Sequence, residues 1–202
     1  MGRSKSEMQA TPAVADEGNR RAELIREAGR LFRDKGYAAT TVRDIAAAVG
    51  MRSGSPFYHF KSKQELLKAV VLEGMQAALA AIEAVAALRQ GPRETFQALI
   101  RAHLDTVLER GGDFVPVLLH EWRSLSDESR AEIVATKDRY EAIWQKTLKD
   151  LKRAGLIRDD SSLARLLIFG SINWTAQWYR ADGKLSLDQL AQRTAEFFLQ
   201  LK

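Results

Sequence analysis

The sequence contains no cysteine, so it offers neither a disulfide framework nor a thiolate ligand for a metal. Proline is scarce, with four residues, and no uninterrupted apolar run reaches the roughly 20 residues that a membrane-spanning helix needs. The N-terminal segment also lacks the apolar core of a secretory signal. These absences predict a soluble, cytoplasmic protein that does not bind membranes.

The common signatures of enzymes are missing as well. There is no Gly-rich phosphate loop, no HExxH pair and no cluster of paired carboxylates. The three histidines are far apart, and His120-Glu121 lacks the second histidine of a zinc-binding helix. The sequence therefore predicts no catalytic residue, no metal ligand and no cofactor. A catalytic site assembled only in the folded chain stays open as an alternative.

What the chain does contain is an uneven distribution of charge. Residues 1–63 hold 12 Lys and Arg against seven Asp and Glu, whereas residues 64–202 hold 19 of each. The whole net charge of +5 therefore lies in the first third of the chain. A basic segment of this kind is typical of proteins that bind nucleic acid. The alternative is a solvated basic surface without a partner.

Apolar residues recur at helical spacing along most of the chain, and no segment has the alternation of a strand. Asn19 is a predicted N-cap for the first helix, which ends at Gly36. Further helices are expected over about 42–49, 53–60, 62–88, 92–110, 114–125, 126–154, 161–181 and 187–201, about nine in all. Residues 1–18 show no apolar period and are predicted to form a disordered arm.

The stretch Thr41–Lys63 predicts two short helices joined by a tight turn. Gly50 lies at the turn and tolerates the left-handed conformation that a helix end requires. The second helix is too short to be stable alone, so Phe60 is expected to anchor it against its neighbours. Its outer side then carries hydroxyls, an aromatic ring and an imidazole, flanked by basic residues. This combination suits the major groove of DNA.

The run Gly50–Lys63, GMRSGSPFYHFKSK, resembles the helix-turn-helix signature of TetR-family transcriptional regulators, and the resemblance covers about residues 20–66. It implies a DNA-binding head at residues 19–63 and a body at residues 64–202 that binds an effector and dimerises. Two departures from the family pattern affect the contacts. Pro56 stands where a larger aliphatic residue is usual, and Phe57 stands where tyrosine is common.

The outward positions and the resemblance together predict which residues meet DNA. They are Thr41, Arg52, Ser53, Gly54, Ser55, Phe57, Tyr58, His59, Lys61 and Lys63. Phosphate contacts, which position a protein without reading sequence, are expected from Thr41, His59 and the two lysines. Arg52 is expected to read guanine, and Tyr58 to pack on a thymine methyl.

The helices between about 92 and 154 are expected to enclose the effector pocket that the resemblance implies. The predicted lining is Phe96, Ile100, His103, Leu104, Leu118, Leu119, Trp122, Tyr140 and Trp144. His103, His120 and Tyr140 are its polar candidates, and an ordinary place in the core is the alternative for each. The segment Gly170–Tyr179 resembles a pattern found in regulators of lipid or acyl-CoA metabolism, which implies an apolar or acyl-type effector.

The last two helices are strongly apolar and predict a dimer interface. Its expected residues are Leu167, Trp174, Trp178, Leu190, Thr194, Phe197 and Phe198. Paired with a symmetry mate, the two helices would form a four-helix bundle, and TetR-like proteins dimerise through this part of the chain. The alternative is that these side chains close the core of the single chain.

The sequence thus predicts an all-α, dimeric, ligand-responsive regulator. By family default it is a repressor that binds a palindromic operator and is released by a small effector. It is not expected to be an enzyme. A helical enzyme and a helical scaffold without DNA binding are the alternatives, although the scaffold leaves the charge asymmetry unexplained.

Overall fold

The computed structural model describes residues 12–51, 58–108 and 113–200. These residues form eight α-helices and contain no strand, which confirms the predicted all-α class. The helices are α1 (Pro12–Lys35), α2 (Val42–Ala48), α3 (Lys63–Ala87), α4 (Pro92–Leu108), α5 (Phe114–His120), α6 (Asp127–Arg153), α7 (Ser162–Asn173) and α8 (Leu187–Gln200). Short 3-10 turns follow α5 and α7.

The first two helices pack through the apolar stripe that their spacing predicts. Leu24, Ala28 and Phe32 of α1 are buried together with Ile45 of α2. Gly36 follows α1 with a φ of 83°, a left-handed conformation that glycine adopts without the steric cost of a Cβ. The predicted end of the first helix at this glycine is therefore confirmed.

The start of α1 corrects a prediction. The helix begins at Pro12 rather than at Asn19, so the predicted disordered arm over residues 1–18 is wrong for residues 12–18. Proline is already in the conformation that a first helical position needs, and the Ala13–Glu17 segment contains good helix formers. The helix therefore requires no cap at Asn19. Residues 1–11 lie outside the described part of the chain.

Two other helices end earlier than predicted. α5 stops at His120, and α7 stops at Asn173 instead of continuing to about residue 181. After α7 the buried hydroxyl of Thr175 donates a hydrogen bond to the carbonyl of Ile172 at 2.6 Å, within a tighter 3-10 turn. Side-chain bonds of this kind compete with regular helix geometry, and the apolar period does not reveal them.

The long helix α3 is central to the bundle, because it packs against α1, α4, α5 and α6. Ser62 caps it, accepting a hydrogen bond from the backbone of Glu65 at 3.2 Å. Among the described helices, α3 alone has the length and apolar composition that could cross a membrane. Its position accounts for that composition, since Leu66, Leu67 and Val71 are fully buried against neighbouring helices.

The last two helices are arranged around α4. α8 packs on α4, and α7 contacts α4 and α6. α8 begins with a capping box, in which the backbones of Ser186 and Gln189 each donate to the other's side chain, at 3.0 and 3.2 Å. One side of α7 and part of α8 remain uncovered.

Candidate functional site

The N-terminus of α2 is the first described part of the predicted DNA surface. Thr41 is its N-cap, and it forms a capping box with Asp44. The Thr41 hydroxyl and backbone N–H both donate to the Asp44 carboxylate, at 2.7 and 2.8 Å. These hydrogen bonds lower the pKa of Asp44, so a carboxylate already occupies the helix end. The predicted contact of Thr41 with a phosphate therefore requires its hydroxyl to give up the hydrogen bond to Asp44.

Lys63 holds the turn between α1 and α2. Its ammonium donates to the carbonyls of Tyr37 and Thr40, at 2.8 and 2.9 Å, and lies 4.2 Å from the centroid of the Tyr37 ring. Because an ammonium has three donors, one remains for a phosphate. The structure therefore gives Lys63 a positioning role that the sequence motif did not reveal.

Of the residues just before α3, one is buried in the core and others are exposed to solvent, as the motif predicts. Phe60 is buried, and the guanidinium of Arg21 lies 5.2 Å from the centroid of its ring. Tyr58 is 75% exposed and Lys61 is exposed, while the ring of half-buried His59 lies nearly perpendicular to that of Tyr58, with centroids 5.3 Å apart. The inward anchor is confirmed, and the polar side chains beside it are accessible. The predicted contacts Arg52, Ser53, Gly54, Ser55 and Phe57 lie outside the described residues.

A cavity of about 180 Å³ lies within the body, between α3, α4, α5, α6 and α7. Four residues predicted to line the effector pocket lie in its wall: His103, Leu118, Leu119 and Tyr140. The wall also contains eight residues that the sequence analysis missed, namely Met75, Thr106, Phe114, Val115, Lys137, Glu141, Phe169 and Asn173. A mostly apolar wall with a few convergent polar groups is the usual composition of a ligand site.

Five predicted lining residues lie elsewhere. Phe96, Ile100, Leu104 and Trp144 are fully buried in the core, and Trp122 is half-buried in the turn after α5. The rings of Phe96 and Trp144 pack edge to face with centroids 6.2 Å apart. His120, a polar candidate, is exposed at the end of α5. Apolar spacing identifies the buried side of a helix, but it does not show where neighbouring helices leave space.

A polar network lies in the cavity wall. His103 Nε2 is 2.9 Å from the Asn173 side-chain oxygen, and the Tyr140 hydroxyl is 3.0 Å from His103 Nδ1. The hydroxyl can donate only to an unprotonated Nδ1, so Nε2 carries the proton and donates to Asn173. Burial lowers the pKa of His103 to about 4 and raises that of Tyr140. The network is therefore neutral and internally satisfied near neutral pH.

α5 joins the cavity wall to the head. Four of its side chains line the cavity. Immediately before α5, the carboxylate of Asp113 forms an ion pair with Arg33 of α1. Immediately after it, Glu121 Oε1 accepts a hydrogen bond from the backbone N–H of Tyr37 at 2.9 Å. One short helix therefore contacts the cavity along its length and the head at both ends.

Six large apolar side chains lie on the outer side of α7, the turn after it and α8. This outward apolar face consists of Leu163, Leu166, Leu167, Trp174, Trp178 and Phe197, each more than half exposed. It contains four of the predicted interface residues. Of the other three, Thr194 and Phe198 are half-buried, and Leu190 is 6% exposed. Leu190 is thus a core residue of the single chain, because its side of α8 packs toward α4.

Comparison with known proteins relates both halves of the chain to regulators. The family model described as "Bacterial regulatory proteins, tetR family" matches residues 24–70. A second model, "Tetracyclin repressor-like, C-terminal domain", matches residues 89–201, which is more than half of the chain.

Individual relatives extend over nearly the full length. The transcriptional repressor KstR2 of Mycolicibacterium smegmatis is 29% identical over 178 residues, covering 87% of this chain and 86% of its own. The crystal structure of the superantigen PfiT is 43% identical with a TM-score of 0.72, covering 88% of this chain and 95% of PfiT. AibR in complex with isovaleryl coenzyme A and operator DNA is 28% identical with a TM-score of 0.79, covering 89% and 98%.

Proposed function

The chain belongs to the TetR family of transcriptional regulators, and we propose that it is a repressor that binds a palindromic operator as a homodimer. An apolar or acyl-type effector releases the operator by filling the cavity. The KstR2 relatives are repressors, and AibR was crystallised with both an acyl coenzyme A and operator DNA. A cytoplasmic location follows for a protein that acts on the chromosome.

The observation that carries this proposal is the placement of α5. Its side chains line the cavity, while Asp113 and Glu121 at its two ends bond to Arg33 and to the backbone of Tyr37. An effector that fits the cavity in only one position of α5 favours that position. The head then moves with α5, because the two are bonded to each other. A ligand shifts such an equilibrium only by its differential affinity for the two states. A coupling of about 1–3 kcal/mol would weaken operator binding about 5–150-fold.

The outward apolar face supports the homodimer. Exposed apolar patches are uncommon on monomers and are typical of interfaces. A two-fold pair built on α7 and α8 would form a four-helix bundle and present two heads to one side of a duplex. Heads that read a palindrome must lie about 34–36 Å apart, one turn of DNA.

On the DNA side, the proposal assigns different roles to the two lysines near α3. Lys61 is exposed and is expected to meet phosphate, whereas Lys63 is expected to act mainly by holding the α1–α2 turn. Tyr58 and His59 complete the accessible surface next to the predicted contacts at residues 52–57. Base readout by Arg52 and Tyr58 stays a prediction.

Other classes of function make different predictions. The His103 and Tyr140 pair resembles an acid–base pair, but the pKa of each lies far from neutrality, so neither exchanges protons readily at pH 7. Among the described residues, no group of three or more His, Asp or Glu is arranged to hold a metal. A helical scaffold predicts no specific DNA binding.

A gel shift on the promoter of the protein's own gene, repeated over a range of salt concentrations, tests the proposal. We expect specific binding that weakens with salt, because phosphate contacts release counterions. Lys61→Ala should flatten the salt dependence and weaken binding to every sequence alike, while Tyr58→Ala should reduce the preference for operator over random DNA. Equal affinity of the unchanged protein for operator and random DNA would contradict the proposal.

A further inference from the structure

Most of the cavity wall outside the polar network is apolar. His103, Tyr140 and Asn173 bond to one another, and most of the remaining wall is apolar, including Phe114 and Phe169. Nothing in this part of the wall favours a charged group. The cavity volume is about 180 Å³. This space suits a short hydrocarbon chain.

The charged region lies on α6 and α7. The Lys137 ammonium is 2.6 Å from Glu141 Oε1, and a guanidinium nitrogen of Arg165 is 2.7 Å from Glu141 Oε2. Lys137 and Glu141 line the cavity. Arg165 lies behind this wall, in contact with Glu141. We call Lys137, Glu141 and Arg165 the mouth cluster, because Lys137 is 39% exposed and marks the side that opens to solvent.

The mouth cluster holds two cations against one carboxylate. The side chains of Arg165 and Glu141 are only 13% and 17% exposed, so water solvates this pair little, whereas Lys137 at the rim is partly solvated. Arg165 also donates to Gln145 at 3.1 Å, but its Nε is buried and has no acceptor within the described residues. A buried donor without an acceptor is costly. An anion beside Arg165 would supply both the acceptor and the missing negative charge.

We propose that the cavity takes a short amphiphile whose apolar chain lies among the α5 side chains and whose anionic group binds Arg165 and Lys137. The anionic group is a carboxylate or a phosphate, since both offer the oxygen acceptors that a guanidinium and an ammonium recognise. This inference rests on the proposed function, because it names the chemistry of the effector for the same cavity.

Calorimetric titration of the full-length protein with three hexyl probes tests the inference. The probes are hexanoate, hexanoyl coenzyme A and 1-hexanol, which share a chain and differ in charge. We expect at least one anionic probe to bind at least tenfold more tightly than the alcohol. The tighter of the two anions identifies the source as a free carboxylate or as the phosphates of the coenzyme.

Variants of the mouth cluster locate the effect. Arg165→Gln and Lys137→Gln should each weaken the anionic probe at least tenfold and leave hexanol binding unchanged. Lys146→Gln is the matched control, because Lys146 lies on the same helix, is exposed and pairs with Asp150 away from the cavity. Should Arg165→Gln fail to fold, Lys137→Gln at the exposed rim gives the same test.

The outcomes separate this inference from the proposed function when operator binding is measured on the same samples. Equal binding of all three probes, no binding of any probe, or unchanged anion binding in the variants would overturn the inference while operator binding persists. Loss of specific operator binding in the unchanged protein would instead contradict the proposed function. Selective anion binding that depends on Arg165 and Lys137 supports the inference in either case.

Discussion

The cavity and the outward apolar face are both apolar surfaces that the single chain leaves uncovered, but they differ in their polar groups. The cavity wall includes the neutral His103 network and two residues of the mouth cluster. Among the six side chains of the outward apolar face, the indole nitrogens of Trp174 and Trp178 are the only polar atoms. The cavity therefore selects a ligand by its charge and hydrogen-bonding groups, whereas the outward apolar face selects a partner by the shape of its apolar surface.

The difference teaches which partner each surface fits. A second copy of the chain presents the same apolar side chains, so a two-fold pair buries apolar surface against apolar surface, with only the indole N–H groups needing acceptors. A ligand in the cavity must match the charged mouth as well as the apolar wall. The cavity is also tied to the head through α5, whereas none of the six residues of the outward apolar face lines the cavity. The following substitutions separate the two surfaces, from the largest expected effect to the smallest.

Leu167→Glu should break the dimer. It places a charge within the outward apolar face of both copies, and a buried unpaired charge costs several kcal/mol. We expect the dimer dissociation constant to rise at least about 100-fold, equivalent to about 2.7 kcal/mol, measured by analytical ultracentrifugation. Operator binding should weaken with it, because the two heads no longer bind as a pair.

Leu88→Glu is the control for that experiment. Leu88 is 63% exposed, close to the 62% of Leu167, but it lies at the end of α3 outside the outward apolar face. It should leave the dimer intact. An unchanged dimer in Leu167→Glu, or equal dissociation in both variants, would show that another surface pairs the chains.

The buried network of the cavity should make stability depend on pH through His103. Its pKa is about 4 in the folded chain against 6.5 for the ordinary group, so the unfolded chain binds more protons between these values. Stability is therefore full above about pH 6.5 and falls as the pH is lowered toward 4, by up to about 3 kcal/mol. Urea unfolding between pH 7 and 4 measures this loss.

His103→Gln should flatten this part of the pH profile, because glutamine does not titrate. The matched control is His120→Gln, since His120 is exposed at the end of α5. The control should keep the slope of the unchanged protein. If His103→Gln retained the full slope as well, the loss at low pH would have to come from other groups.

The helical layout was predictable from the sequence wherever local chemistry decides it. Ser62 and Ser186 cap α3 and α8 as their motifs indicate, and Gly36 ends α1 in the left-handed conformation. The exposed side of α7 follows from the spacing of Leu167 and Trp174. These features depend on residues within one or two turns, which a sequence displays directly.

The cavity was only partly predictable, because it depends on how helices far apart in sequence meet. Phe96 and Trp144 have the same apolar spacing as true lining residues, yet their rings pack against each other in the core. Asn173 enters the wall only because α7 brings it to His103, 70 positions earlier. One local signal was available: Lys137 and Glu141 share the helical side of Tyr140, where polar residues interrupt an apolar stripe.

Gly74→Ala should distort the cavity without touching the outward apolar face. A Cβ at residue 74 would lie 2.3 Å from Cγ of Phe114, which lines the cavity. Overpacking of this kind costs about 1–3 kcal/mol, and the better helix propensity of alanine returns up to about 1 kcal/mol. We expect a net loss of stability in urea and an unchanged dimer constant. Relief of the loss by Phe114→Leu in the same chain would assign it to this contact, and no relief would contradict it.

Asp113→Asn should have the smallest effect on stability and should act on signalling instead. It neutralises the ion pair between α5 and Arg33, and partly exposed pairs contribute about 0.2–1 kcal/mol. The dimer constant and the affinity for hexanoyl coenzyme A should stay within about twofold of the unchanged protein, which is below 0.5 kcal/mol. The ratio of operator affinities without and with that probe, measured by gel shift, should shrink, because α5 then loses one of its two polar links to the head and keeps the hydrogen bond from Tyr37 to Glu121. Asp188→Asn is the control, since Asp188 pairs with Arg101 between α8 and α4, away from the head. An unchanged ratio in Asp113→Asn would show that the signal leaves the cavity by another helix, and α3, which touches both, would be the next to test.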